Sequence, residues 1–348
     1  MDTFCVLPWY SSELPSNTPC CLLPNNTNID QLKIDLLNGI KSSACSKCWA
    51  LEKQGKKSRR LLENEFLDYK LDRDLILIRE DCKTKIIDPI MYQIKTSNLC
   101  NQACVTCNSS ASTKWAELET KMGVTPKSKL KINASTVNIN YADAKKISLL
   151  GGEPFFDPTT FEILERLIKH NNTDCFISLV TNGSIVLKQT QLDLLSKFSD
   201  LNICISIDGI EKRFEYLRWP AKWNTLLDNL KRYREITKNI SISYTISSLN
   251  VLYYQQTIDW FHTQDIKYNH NIVSHPEWLG LSNTPVKIKK LLHNTSVPVA
   301  WIEITGKETT LENYRNYLLA QDQAKKINIK DYLPEIWEIL NDSASVGK

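Results

Sequence analysis

The sequence contains no apolar run near the ~18 residues that a membrane span needs, which excludes a membrane protein of the helical kind. Nor does its opening, Met1-Asp-Thr-Phe-Cys-Val-Leu-Pro-Trp9, carry the basic start of a secretory signal. A cytoplasmic location is the expectation. An excess of one charge is missing as well. The 43 basic residues face 39 acidic ones, a balance of +4 that is too mild for a nucleic-acid binder. Low-complexity tracts are absent, and 42% hydrophobic with 24% charged residues is a globular composition. At about 100–200 residues per domain, 348 residues suggest about two domains. Glycine is scarce too: ten in the whole chain, under half the usual ~7%. Where glycine stands therefore carries information.

Cysteine is what the chain has instead. Eleven are present, at 5, 20, 21, 45, 48, 82, 100, 104, 107, 175 and 204. Without an export signal a disulfide framework does not fit. Eight of the eleven cluster at short spacing, and clustered cysteines read as metal ligands. Cys175 and Cys204 fall within strand patterns and read as buried core thiols, and Cys82 is either a hydrogen donor or packing. The histidines at 262, 270 and 275 are scattered and define no metal site.

From about residue 91 strand and helix patterns alternate. Strands are expected at 91–97, 146–150, 175–180, 201–207, 240–247 and 267–273. Each precedes a helical stretch, near 112–121, 159–170, 187–198, 223–236, 253–262 and 286–293. Six β-then-α units argue for a parallel sheet with helices outside it, curling toward a partial (β/α)6 TIM-like barrel. Before residue 91 a helix is expected at 56–69 and a short strand at 75–79. Residues 1–50 show no long period. After about 295 an extended stretch at 297–304 precedes helices at 311–326 and 333–340. The expected units are 1–85, 86–295 and 296–348. Four of the ten glycines, Gly151, Gly152, Gly183 and Gly209, close the second, third and fourth expected strands. In a parallel barrel, sites sit at those C-terminal strand ends.

Cys100-Asn-Gln-Ala-Cys104-Val-Thr-Cys107 leaves the first of these strands. Three thiolates at such spacing are soft donors suited to iron–sulfur clusters, and an incomplete set leaves a coordination position open. A zinc knuckle completed from elsewhere has the same spacing. The C-x3-C-x2-C triplet after a first barrel strand resembles the signature of the radical S-adenosylmethionine superfamily, with Thr106 where an aromatic residue is common. Further segments support the resemblance in order: Leu149-Leu-Gly-Gly-Glu-Pro154, Val180-Thr-Asn-Gly183, Ile205-Ser-Ile-Asp-Gly209 and Tyr216-Leu-Arg-Trp-Pro220.

The resemblance implies that Cys100, Cys104 and Cys107 hold a 4Fe–4S cluster, whose fourth iron is chelated by S-adenosylmethionine. It places Gly151, Gly152, Glu153, Thr181, Asn182, Ser206, Asp208 and Arg218 around that cofactor. Glu153 is expected at its ammonium, Ser206 at its ribose and Arg218 at its carboxylate. Asn271-Ile-Val-Ser-His-Pro276 is expected beside the adenine.

The N-terminal cysteines form a second constellation, Cys5, Cys20, Cys45 and Cys48, with Cys21 as the alternative to Cys20. On spacing alone this set suits zinc or an iron–sulfur cluster equally. Phe4-Cys-Val-Leu-Pro-Trp9, Pro19-Cys-Cys21 and Cys45-Ser-Lys-Cys48 resemble a twitch domain, the shortened relative of SPASM domains, which binds an auxiliary 4Fe–4S cluster. Residues 1–85 are then the auxiliary domain, 86–295 the radical barrel and 296–348 a helical extension. The implied activity is reductive cleavage of S-adenosylmethionine and hydrogen abstraction from a peptide or small-molecule substrate. The reaction is expected to be oxidative and to draw electrons from a flavodoxin or ferredoxin. A zinc-stabilised binding protein and a non-cleaving iron–sulfur scaffold are the alternatives. Beyond the cluster, no catalytic residue is assigned.

Overall fold

The computed structural model of the protein describes residues 2–126, 138–292, 297 and 310–341. Seven strands form one sheet in chain order: β1 (Ser11–Leu14), β2 (Met91–Lys95), β3 (Lys146–Leu150), β4 (Phe176–Thr181), β5 (Leu201–Ser206), β6 (Asn239–Ile246) and β7 (Lys267–Ile272). Every neighbouring pair is parallel. The sheet is open, because β1 and β7 are its two ends. Helix α1 (Leu7–Tyr10) precedes β1, and α2 (Ile29–Leu37), α3 (Ser46–Lys53), α4 (Arg59–Leu71) and α5 (Leu75–Thr84) lie between β1 and β2. The later strands are followed in turn by α6 (Thr113–Lys121), α7 (Pro158–Lys169), α8 (Gln189–Leu195), α9 (Glu211–Leu217) with α10 (Trp223–Ile236), and α11 (Tyr254–Thr263). After β7 come α12 (Val286–Leu292), α13 (Leu311–Lys325) and α14 (Pro334–Asn341). Among the described residues no helix is long and apolar enough to cross a membrane.

Side chains on a strand alternate between two faces, and here the two faces differ in kind. Ile94, Leu149, Leu179, Ile203, Ile205 and Ile242 point to the helix side. They pack there with Ile163 and Leu167 of α7, Leu226 and Leu230 of α10 and Phe261 of α11. Burial of each such side chain stabilises the fold by about 1.5–3 kcal/mol. The other face carries Gln93, Ser148, Ser178, Asn202, Ser241 and Ser243, all half-buried. Asn202 donates to Ser178 (3.3 Å) and accepts from Ser241 (3.2 Å). Cys204, expected in the core, belongs to this polar face because it alternates with Ile203 and Ile205.

Part of the polar face is covered by α4. Its residues 59, 63, 66 and 70 share one helix face. Arg59 donates to Gln93 (3.2 Å), Glu63 pairs with Lys146 (2.7 Å), the Phe66 and Phe176 rings lie 5.5 Å apart, and Lys70 pairs with Asp200 (2.6 Å). The N-terminal segment is thereby fastened to the sheet, and it also donates the edge strand β1, with Ser11 opposite Met91.

The architecture is the expected open parallel half-barrel, extended by one strand. Four residues of β1 are too few to show a period, so the sequence reading found no element there. The strand expected at 75–79 is helix α5. Asp74 caps it through Ile76 N (2.6 Å), and Ile78 and Cys82, four apart, are its buried residues. The apolar run Leu75-Ile-Leu-Ile78 reads as a short strand, but packing with Leu36 and Leu67 decides for the helix. Cys82 lies in that N-terminal core. Of the extended stretch expected at 297–304, residues 298–304 lie outside the described residues.

One ion pair anchors the N-terminal unit. Arg60 is buried, pairs with Glu52 (2.7 Å), donates to the Phe4 carbonyl (2.8 Å) and stacks 4.9 Å from the Trp49 ring centroid. Arg60→Ala leaves Glu52 without its cation and should cost about 3 kcal/mol. Urea titration under anaerobic conditions, read by tryptophan fluorescence, measures it, and Arg60→Lys should recover part of the loss.

Candidate functional site

The loop leaving β2 carries the cysteine triplet, and backbone contacts hold it on two sides. Ala103 N donates to Trp219 O (2.7 Å) and Val105 N to Leu217 O (2.9 Å), tying the loop to the end of α9. Ser112, the cap of α6, donates to Gln102 O (2.5 Å), and Trp115 Nε1 donates to Cys104 O (2.7 Å). Cys100 and Cys104 are buried and Cys107 half-buried. Burial lifts the thiols of Cys100 and Cys107 to about 12 and raises Cys104 as well. They hold their protons until a metal, which binds thiolate, displaces them.

The loop after β3 meets this one backbone to backbone. Gly152 N donates to Ser97 O (2.8 Å) and Glu153 N to Leu99 O (2.9 Å). A Cβ on Gly152 would stand 2.3 Å from the Leu99 carbonyl oxygen, and Gly151 has φ +146°. Both positions require glycine. Glu153 is buried behind the loop, where its carboxylate accepts from Phe155 N (3.0 Å), Thr181 Oγ1 (2.6 Å) and Asn182 N (2.6 Å). Burial raises its pKa to about 7, against the pull of those three donors.

A cavity of about 450 Å³ opens between these loops. Its walls bring together Cys100, Cys104 and Cys107 with Gly151, Gly152, Thr181, Asn182, Ser206 and Arg218. Ile272, Val273, Ser274 and His275, from the segment expected at an adenine, close one side. Glu153 and Asp208 lie behind the lining. Asp208 grips the buried Arg218 guanidinium at both oxygens (2.9 and 2.8 Å) and accepts from Thr245 N (3.0 Å). Arg218 Nη1 stands 4.0 Å from Cys104 Sγ, and Asn182 Nδ2 3.9 Å from Cys100 Sγ.

Three residues at the site escaped the sequence reading. Thr245 lines the cavity at the end of β6, where a strand-end position was the available signal. Gln102 is buried inside the triplet, and its Nε2 has no hydrogen-bond partner among the described residues. Lys325, at the end of α13, is buried with its Nζ 4.9 Å from the Trp115 ring centroid. Burial lowers its pKa to about 8, against the pull of Cys104, Asp322 and Cys107. No spacing in the chain connects it to the triplet.

In the N-terminal unit Cys5, Cys20, Cys45 and Cys48 line one crevice, walled by Leu32, Leu36 and Arg60. Cys21 is exposed, and its thiol accepts from Arg59 Nη1 (2.5 Å). Cys20, not Cys21, joins the ring. Burial raises Cys5 and brings Cys20 and Cys45 to about 11. The space between the four thiols is about 20 Å³, room for about one water.

Among the described residues no three His, Cys, Asp or Glu side chains converge as a single-ion site requires. The cysteines ring spaces instead. The barrel triplet fits a four-iron cluster: three soft donors face one cavity, and a sulfide-bearing group between Cys100 and Cys104 would give Gln102 Nε2 its acceptor.

Residues 94–261 match the model of the Radical SAM superfamily. No curated protein matches the chain. Among solved structures, native anSMEcpe with bound AdoMet is 17% identical, with 59% of this chain and 59% of that one covered and a TM-score of 0.43. Streptococcus suis SuiB bound to precursor peptide SuiA is 12% identical, over 84% of this chain and 63% of that one, with a TM-score of 0.42. The methyltransferase TsrM from Kitasatospora setae, with cobalamin and a [4Fe-4S] cluster bound, is 10% identical over 52% and 36%, with a TM-score of 0.37. The chain spans about three fifths of the length of the anSMEcpe structure it matches.

The Glu153 brace is testable. In Glu153→Gln an amide nitrogen replaces one oxygen, so a donor faces a donor in either orientation. A loss of about 2 kcal/mol is expected in denaturant titrations. The carboxyl's folded pKa is raised, so its contribution is full below about 4.5 and fades as pH rises through about 7. The gap between the two proteins should be wider at about pH 5 than at about pH 8.

Proposed function

We propose that this chain, whose residues 94–261 form a radical SAM domain, is an enzyme that reductively cleaves S-adenosylmethionine and takes a hydrogen atom from a peptide or small-molecule substrate. One observation carries the reading: the cysteine triplet and the ends of β3, β4 and β5 open onto a single cavity. Cys100, Cys104 and Cys107 would hold the cluster. A four-iron cluster, when bound, supplies the electron that breaks the C5′–S bond of S-adenosylmethionine and leaves a carbon-centred radical.

The remaining work falls to the chain. Glu153 already takes three donors, so the Leu150–Gly152 backbone, which lines the cavity, is the better acceptor for the cofactor's ammonium. Arg218 would meet the cofactor's carboxylate while Asp208 keeps the guanidinium charged and aimed. Ser206 would offer its hydroxyl to the ribose, Thr181 holds Glu153 in place, and Asn182 braces the Cys100 side. The substrate would lie on the neutral, hydrogen-bonding face of the sheet, at the end that α4 leaves uncovered. Ile272–His275 would shield that end from water.

Cys5, Cys20, Cys45 and Cys48 are read as ligands of a second 4Fe–4S cluster. Four thiolates would close it, which suits electron transfer rather than substrate coordination and favours an oxidative outcome. A flavodoxin or ferredoxin would supply the first electron.

Anaerobic iron and sulfide analysis with product assays tests both assignments. Replacing Cys100, Cys104 and Cys107 by Ala should remove about half the iron and all 5′-deoxyadenosine formed after dithionite reduction. Cleavage that survives would refute the barrel assignment. Replacing Cys45 and Cys48 by Ala should lower iron from about eight to about four per chain with cleavage retained. Iron that stays at about eight, or zinc without labile sulfide, would remove these cysteines from the cluster reading.

A further inference from the structure

Helix α13 lies outside residues 94–261 yet ends beneath the cysteine loop. Ala324 packs with Cys107 against Ala103, Trp115 and Leu118. The Lys325 ammonium sits over the Trp115 ring, 4.9 Å from its centroid, and the same indole donates to Cys104 O. Lys325 Nζ donates to Gln321 (3.1 Å) and, among the described residues, pairs with no carboxylate. Its neighbour Asp322 is engaged by Tyr216 OH (2.9 Å) and Ile329 N (2.6 Å). Arg218, the other cation at this loop, is already neutralised by Asp208.

A buried ammonium without a carboxylate partner is costly unless some negative charge compensates it. Asp322, already bonded by Tyr216 and Ile329, supplies part of it, and the rest faces Lys325 across the Trp115 ring, where Cys104 and Cys107 become thiolates on binding a cluster. Net charge and burial are among the factors that set the potential of an iron–sulfur centre. We propose that Lys325 is a positioning residue whose fixed positive charge, delivered from the C-terminal helix, raises the reduction potential of the barrel cluster. The inference rests on the radical reading above and adds a residue from outside its domain.

The test is a redox titration of the full chain followed by electron paramagnetic resonance. The barrel cluster is recognised by the signal that changes on adding S-adenosylmethionine. Lys325→Met should keep the iron content and make that cluster at least about tenfold harder to reduce, ~59 mV more negative for one electron. Lys325→Arg should stay near the wild-type value. Iron lost from Lys325→Met but kept by Lys325→Arg supports the same role, because retention then follows the charge. An unchanged midpoint in iron-loaded Lys325→Met, or iron lost from both variants, overturns the inference alone. A wild-type chain that takes up no iron and sulfide overturns the radical reading beneath it.

Discussion

Two loops pressed together backbone against backbone hold the candidate site. The cysteine loop and the glycine loop touch through Leu99 and Gly152, with no side chain between them, and two amide–carbonyl bonds seal the contact. Because β2 and β3 are parallel neighbours, both loops leave the same end of the sheet. Everything else braces this junction. Glu153 ties the glycine loop to the end of β4, Asp208 fixes Arg218 beside Cys104, and Trp115 fixes the Cys104 carbonyl.

The sheet supports this junction by separating its two faces chemically. One is an aliphatic core under the helices, and the other is a mainly polar surface whose Lys146 and Phe176 are covered by α4. Both the N-terminal unit and the C-terminal helices reach the barrel through polar contacts. The half-buried pair of Lys70 and Asp200 serves one end, and the buried pair of Tyr216 and Asp322 the other. The flanking segments act as walls of the same structure.

The later strands were legible because alternation of apolar and polar residues over five or more positions leaves little choice. The cysteine triplet and Gly151-Gly152 were legible because soft ligands and glycine at a strand end each have few other uses. Strand β1 was not, since four residues of Ser-Ser-Glu-Leu carry no period and pair only with a strand far along the chain. The role of Glu153 within the fold was not legible either: the resemblance places it at the cofactor's ammonium, while its three donors come from positions up to 29 residues away in the chain. Lys325 is the extreme case, since its meaning comes entirely from helix packing.

The edge strand sets an order of events for the growing chain. Ser11 cannot pair until Met91, about eighty residues later, has been synthesised, and long-range pairing of this kind is slow. In that interval Cys5, Cys20, Cys45 and Cys48 are on a nascent segment that has no sheet to join. Their thiols are then open to oxidation and to adventitious metals, while the finished fold buries three of the four.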